Sequence, residues 1–339
     1  MTTFRDGDII VTKENLVFYA FGYVHPTDRV IAYLKYLPKE LKPLFPLDFL
    51  EVQWDIQGQK FVRPRDLYTP DNFWKIRNVF HNHFPNYLYS CPYIGDTLVA
   101  VPIKNMKKVY RPHESLINLL QKRQLGPLES LAAKLITLLS EIANVPMEDF
   151  GIHGSLTMGV YSQFSDIDVT IYGALNYFRV KDGVKRLVKQ GRIRYLFEDK
   201  ADEFRRNKGR FEGTKFVFNA VRKSEEIQER YGQYCYQALK RLSFICKISE
   251  CWESNFKPAI YGIIGIEPLE DFELDISQEP IELISMIGRY RGIAEEKERV
   301  KVVGMLEKVT NTENGTSKYR VVVGSIGAQE EEYIWPVEC

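Results

Sequence analysis

The residues of this 339-residue chain best suited to chemistry lie in one run, Gly154-Ser155-Leu156-Thr157-Met158-Gly159-Val160-Tyr161-Ser162-Gln163-Phe164-Ser165-Asp166-Ile167-Asp168-Val169. Residues two apart on a strand share a face, so Asp166 and Asp168 would present two carboxylates side by side while Ile167 and Val169 turn into the core. Adjacent carboxylates repel each other unless a divalent cation lies between them. An oxygen-only donor pair suits Mg²⁺ or Mn²⁺, which keep waters and recruit substrate phosphates as further ligands. Gly154 allows close backbone approach to a ligand, and Ser155 can cap a short helix and donate to a phosphate oxygen. A phosphate cradle and cation-binding carboxylates on consecutive elements suit phosphoryl or nucleotidyl transfer with two metal ions. The plain alternative is a pair of solvated aspartates at the start of an ordinary strand.

The elements that must position these residues follow from periodicity. An apolar strand over Phe150–His153 runs into Gly154, and residues 113–143 carry a helical period broken at Gly126-Pro127, with Leu131, Leu135, Leu138, Leu139 and Ile142 on one face of the second half. Before them, residues 1–110 read as β-rich: Asp8–Thr12, Leu16–Val24, Arg29–Leu37 and Thr97–Ile103 are strand-like and separated by turn residues, with one helix over Tyr68–Phe84. His81 and His83 fall at the end of that helix and read as solvated. After the motif, long helices are expected over Tyr177–Lys189 and Ile227–Glu253, and a strand over Thr214–Val221. The tail, with apolar runs at Ala259–Ile266, Ile284–Tyr290, Arg299–Leu306 and Tyr319–Gly324 and a loop over Asn311–Gly315, has the marks of a small OB-like β-barrel. The expected fold class is α+β, a mixed α/β chain in three parts: a β-rich domain over 1–110, a mixed sheet with helices over 111–255, and the barrel over 256–339.

Composition narrows the class of protein. With 45% hydrophobic and 27% charged residues the chain can bury cores, and 46 Lys+Arg against 45 Asp+Glu leave +1. The balance is local rather than uniform. Arg179–Lys223 holds 15 Lys/Arg against 6 Asp/Glu, a net of +9, whereas Glu267–Cys339 holds 8 against 16, a net of −8. Five cysteines, Cys91, Cys235, Cys246, Cys251 and Cys339, contain no C-x-x-C pair, which speaks against a structural zinc site. No apolar stretch long enough for a membrane helix and no signal-peptide pattern occurs, so no membrane partner and a cytoplasmic, reducing location are expected.

The pattern of an apolar strand, Gly154-Ser155, ten residues, then Asp166-Ile167-Asp168-Val169 resembles the signature of the DNA polymerase β-type nucleotidyltransferase superfamily. Residues 128–223 would form that domain. The chain as a whole is also similar in layout to archaeal nucleotidyltransferase-domain proteins, with a β-rich start and a segment like Pro258-Ala259-Ile260-Tyr261 leading into a glycine-rich barrel. The resemblance implies that Gly154 and Ser155 hold the phosphates of an NTP and that Asp166 and Asp168 bind Mg²⁺ or Mn²⁺. It also implies a third carboxylate on a later strand, but Thr214–Val221 offers Lys215, Val217 and Asn219 and no acid, leaving Glu212 as the nearest candidate for a third catalytic group.

Two classes of function stay open at this point. One is transfer of an NMP from an NTP to a hydroxyl with release of pyrophosphate, the acceptor being a nucleic-acid 3′ end, a protein or a small molecule. The other is a nucleotide- or nucleic-acid-binding protein without turnover. RNA or DNA is suggested as a partner by Arg192, Arg194, Arg205, Arg206, Lys208 and Arg210 with Tyr195, Phe197, Phe204 and Phe211 among them. The same residues also read as a solvated cationic face over core aromatics.

Overall fold

The structure, a computed structural model, describes residues 4–56, 58–67, 69–162, 165–270, 279–326, 328 and 331–337. Tyr68 of the first expected helix, Gln163 and Phe164 of the motif, and Cys339 and part of the acidic tail lie outside the described residues. The architecture is mixed α/β, with an N-terminal β-rich half-barrel sheet, a central region of helices and strands, and a closed C-terminal β-barrel. Two compact units divide the chain, and both are discontinuous: one takes Met1–Tyr23, Ala32–Leu67 and Val101–Ile227, the other Val24–Ile31, Tyr68–Ala100 and Gln228–Cys339.

In the first unit, strands β1 (Ile9–Thr12), β2 (Val17–Ala20) and the C-terminal part of β3 (Arg29–Pro38) form an antiparallel meander. After β4 (Trp54–Ile56), β5 (Gln59–Val62) extends it beyond β3. The second unit takes α1 (Pro70–His83), β6 (Leu88–Cys91) and most of β7 (Asp96–Pro102). Thr69 caps α1 by accepting from Asn72 N at 3.3 Å, Pro70 opens the helix, and His81 and His83 end it exposed. β8 (Met106–Tyr110) returns to the first unit and pairs with β1.

The central region then begins. Helices α2 (Pro112–Leu120) and α3 (Pro127–Ala143) are separated at Gly126-Pro127 as the sequence requires, and α3 buries Leu128, Ala132, Leu135, Ile136, Leu138 and Leu139. Strand β9 (Phe150–His153) leads into the five-residue helix α4 (Gly154–Met158). β10 (Ile167–Tyr172), α5 (Ala174–Lys189), β11 (Arg194–Tyr195), α6 (Lys200–Arg205), β12 (Lys208–Phe211) and β13 (Thr214–Val221) complete a five-stranded sheet of order β11-β12-β13-β10-β9. β10 and β13 are parallel; β9 runs antiparallel to β10.

The segment Ile227–Glu253, expected as a helix, is instead dominated by the 17-residue strand β14 (Tyr234–Glu250). Its buried positions Leu242, Phe244, Cys246 and Ile248 recur every second residue, the period of a strand. The leucines and alanine near 238–242 mimic a helical spacing over a short window only. β14 pairs along most of its length with β17 (Arg299–Asn311) and at its end with β15 (Ala259–Pro268). With β16 (Glu282–Ser285) and β18 (Ser317–Val323) the ring β14-β15-β16-β18-β17-β14 closes, and β19 (Tyr333–Pro336) adds to β17. Closure leaves these five strands without a free edge between them. Cys91 and Cys246 are buried, whereas Cys235 and Cys251 are half-buried. No helix among the described residues is long and apolar enough to cross a membrane.

The fold holds the motif strand in place through close packing at Gly151. A methyl group there would lie 2.7 Å from the Pro112 carbonyl carbon and 2.8 Å from His113 N, so β9 and the start of α2 meet backbone to backbone. Gly151→Ala is expected to destabilise the chain by about 1–3 kcal/mol in urea unfolding. An unchanged midpoint would show that α2 is not fixed against β9.

Candidate functional site

The antiparallel register of β9 and β10 sets His153 opposite Asp168, so the turn that begins at Gly154 folds back over the Asp168 carboxylate. Gly154 has φ +70°, and any Cβ there would overlap Asp168 Oδ2. Both facts demand glycine at this position. Ser155 sits half-buried in α4, whose short turn is tied down by Thr157 Oγ1 donating to Ile152 O at 2.6 Å and which ends at Gly159 with φ +70°. Ile167 and Val169 are buried, while Asp166 and Asp168 remain partly exposed on the opposite face. The structure thus brings Gly154, Asp166 and Asp168 together.

On the other side of β10 the parallel strand β13 sets Phe216 beside Ile167, which brings Lys215 level with Asp166. Lys215 Nζ lies 3.3 Å from Asp166 Oδ2 and 2.8 Å from Glu198 Oε2. Burial opposes the charge on Lys215, but the Glu198 hydrogen bond and Asp166 outweigh it and raise the ammonium above its ordinary range. Asp168 responds differently. Burial first, and the neighbouring Asp166 second, push its carboxyl up to about 6, against the opposing pull of Lys35, Arg63 and Lys215.

Lys35 and Arg63 belong to the N-terminal sheet and were not singled out from sequence. β3 carries one more residue than β2 at this point: Leu34 stands opposite Phe18 and Tyr36 opposite Val17, leaving Lys35 as the extra residue of a β-bulge. The bulge brings Tyr33 and Tyr36 to the same face as Tyr19, where Ile9, Val17, Tyr19, Tyr36, Phe61 and Met158 form one buried cluster. Met158 ends α4, so the helix that follows Gly154-Ser155 is part of the core of the N-terminal sheet. Lys35 Nζ lies 5.2 Å from the Tyr19 ring centre, and Tyr19 packs edge-on to His153 at 4.8 Å. His153 Nε2 in turn lies 2.6 Å from Gly7 O. The Tyr36 hydroxyl is hydrogen-bonded to both Tyr19 and Arg63, and Arg63 Nε is buried without a hydrogen-bond partner. The only sequence signal for this arrangement is a lysine set in an apolar strand.

The remaining sequence candidates fall elsewhere. Glu212 occupies a turn between β12 and β13 with φ +47° and forms an ion pair with Lys134. Among the described residues no group of three His, Cys, Asp or Glu is close enough to hold a metal ion, so Glu212 does not join the two aspartates. Two carboxylates would suit one hard cation whose other ligands come from water or a bound molecule, and Lys215 is ion-paired to one of them.

The six cations divide into several environments. Arg194 and Arg210 face each other across β11 and β12, both exposed. Tyr195 and Phe197 stack nearby at 5.8 Å and 20°. Arg192 is exposed just after α5, and Arg205 and Arg206 end α6, Arg206 in the left-handed region at φ +51°. Lys208 is committed to structure: it pairs at 2.8 Å with Asp202, whose side chain is 2% exposed, and with Glu198 at 3.2 Å.

No family model matches the chain, and no solved structure matches it. It is 26% identical to an uncharacterized protein of Methanocaldococcus jannaschii, an alignment that covers 97% of this chain and 98% of that protein. The similarity therefore spans the N-terminal sheet, the motif and the barrel together, and the relative's description carries no activity with it.

The raised Asp168 makes a measurable claim about stability. A carboxyl whose folded value is about 6 rather than 3.8 favours folding most below pH 3.8, and that contribution is lost as pH rises through 6. Asp168→Asn, which cannot ionise, is expected to match wild type near pH 3 and to exceed it at pH 7.5 by about 3 kcal/mol in metal-free buffer. Equal stability of the two chains at pH 7.5 would contradict the burial of charge at this site.

Proposed function

We propose that the protein is a metal-dependent nucleotidyltransferase of the polymerase β type, moving an NMP from an NTP to a hydroxyl, with a nucleic-acid 3′ end as the acceptor. The observation that carries this reading is the closure of the Gly154 turn onto Asp168, with Asp166 beside it. The motif's two halves, read ten residues apart in sequence, are within van der Waals reach of each other. That is what holding a phosphate chain against a cation requires. A bound Mg²⁺ or Mn²⁺ would supply charge neutralisation for the phosphates. Asp166 and Asp168 would hold it, while Gly154 lets the turn close over the Asp168 carboxylate and Ser155 donates to the phosphates. In the transfer, a bond forms from the acceptor oxygen to the α-phosphorus, the bond from that phosphorus to the pyrophosphate oxygen breaks, and the hydroxyl proton passes to water.

The preference for a nucleic-acid acceptor is supported by Arg194, Arg210 and the stacked Tyr195–Phe197 pair. They adjoin Glu198, whose partner Lys215 reaches Asp166. This is a cationic edge with an exposed ring, Phe197 being 46% exposed, leading toward the carboxylates. In the C-terminal barrel the ring order, numbered from β14, is first, second, third, fifth, fourth, with the third and fifth strands parallel. That order supports an OB-like reading of the barrel.

A second reading, nucleotide binding without turnover, is favoured by one specific observation: Lys215 is ion-paired to Asp166 at the position where an acceptor-activating carboxylate would be expected. Incubation with labelled NTPs, Mg²⁺ or Mn²⁺ and a pool of RNA, DNA and protein separates the two. Transfer of label to nucleic acid that falls at least 100-fold in Asp166→Asn/Asp168→Asn is the expected result. Tight NTP binding with no transfer would select the second reading, and label on protein alone would move the acceptor.

If the cationic edge contacts phosphates, binding of single-stranded nucleic acid falls linearly on a log-salt plot, and Arg194→Ala/Arg210→Ala lowers the slope by about 1–2. An unchanged slope would remove that edge from the interface.

A further inference from the structure

In the first unit two cations of the N-terminal sheet, Lys35 and Arg63, are near enough to Asp168 on the motif strand to act on its charge. Lys35 follows Tyr33, the partner of Tyr19, by two residues and so shares its face, while the extra residue in β3 adds Tyr36 to that face. Without the extra residue in β3, the alternation of the strand would set Lys35 and Tyr36 on opposite faces, and only one of them could turn toward Tyr19. With the bulge, Lys35 reaches over the Tyr19 ring while Tyr36 stays in the cluster with Tyr19 and Met158. Bulges re-aim single side chains in this way and are common beside functional sites.

Arg63, just beyond β5, is hydrogen-bonded to the Tyr36 hydroxyl. Its Nε is buried with no hydrogen-bond partner, leaving a guanidinium donor unmet. A buried donor without a partner is costly and calls for a group that the chain itself does not provide.

The charge balance points the same way. Lys215 is committed to Glu198 and Asp166. Lys35 and Arg63 are thus the two further cations that act on Asp168. A divalent cation held by the aspartates would add to the positive charge that Lys35 and Arg63 already bring to this side of the site. A polyphosphate matches this: several oxygens of concentrated negative charge, able to meet an ammonium and a forked guanidinium at once.

We propose that Lys35, set over Tyr19 beside the β3 bulge, and Arg63, anchored through Tyr36, grip the polyphosphate of the ligand held over Asp166 and Asp168, so that the N-terminal sheet forms one wall of the phosphate site. The inference rests on the nucleotide reading above for the rest of the ligand, but not for the polyphosphate itself. It also gives the N-terminal sheet a role that the motif alone leaves unassigned.

Calorimetric titration of the full chain with ATP, AMP and inorganic tripolyphosphate, each with Mg²⁺, tests it. Lys35→Ala is expected to weaken ATP and tripolyphosphate about 10- to 100-fold and AMP less than threefold, and Lys35→Arg to restore most of the loss. Arg63→Lys keeps a cation near Tyr36 but loses the fork, and is expected to weaken ATP about tenfold. Melting curves check that each variant is folded; if Arg63→Lys is not, the Lys35 pair still decides. ATP binding that is unchanged in Lys35→Ala overturns the inference and leaves the nucleotide reading standing. Lys35-dependent binding of tripolyphosphate with no added affinity for ATP upholds the polyphosphate grip and removes the nucleotide reading. A wild-type chain that binds neither overturns both.

Discussion

The organising constraint of this protein is the position of the Asp168 carboxylate. It lies under a turn that has no room for a Cβ, beside a second carboxylate, and against a sheet from the other end of the chain. A negative charge in such a place is unfavourable unless cations face it. Lys35, Arg63 and Lys215 pull in that direction from three different strands or strand ends, and the chain nearby is irregular: the bulge in β3, the left-handed Gly154 and the edge-on packing of Tyr19 on His153. Local choices that weaken a fold and converge on one point mark a place shaped for something other than stability.

This constraint explains why the first compact unit is built from separated stretches of chain. The core of the N-terminal sheet includes Met158, the last residue of α4. The motif turn therefore does not stand on its own sheet alone. Its outer wall is Tyr19, Tyr36 and the residues around them, and the relative in Methanocaldococcus jannaschii aligns across both parts. Lys215 adds a further feature. By pairing with Asp166 and Glu198 it sets a cation directly beside the two carboxylates.

Much of this was legible in the sequence. Short-range signals were the most reliable: Gly126-Pro127 separates two helices, Asn311–Gly315 lies in the turn region between β17 and β18, and the Ile167–Val169 alternation buries the residues it should. Ile227–Glu253 was misread because its leucines match a helical spacing for a few residues, whereas its strand character comes from partners far along the chain, chiefly β17. The bulge at Lys35 is invisible for a related reason. It is a mismatch in count between two strands, and no single stretch of sequence carries a count of that kind. Glu212 illustrates the limit of proximity along the chain: it stands close to β13 in sequence, but the turn directs it to Lys134.

The central claim is that Asp166 and Asp168 hold one divalent cation jointly with a phosphate-bearing ligand. Titration of Mn²⁺ into the full chain, followed by its electron paramagnetic resonance signal with and without ATP, tests it most directly. The account predicts one bound Mn²⁺ per chain, held at least tenfold more tightly when ATP is present, and loss of that site in Asp168→Asn. Mn²⁺ binding that is absent in the wild-type chain with ATP, or that survives unchanged in Asp168→Asn, would contradict it.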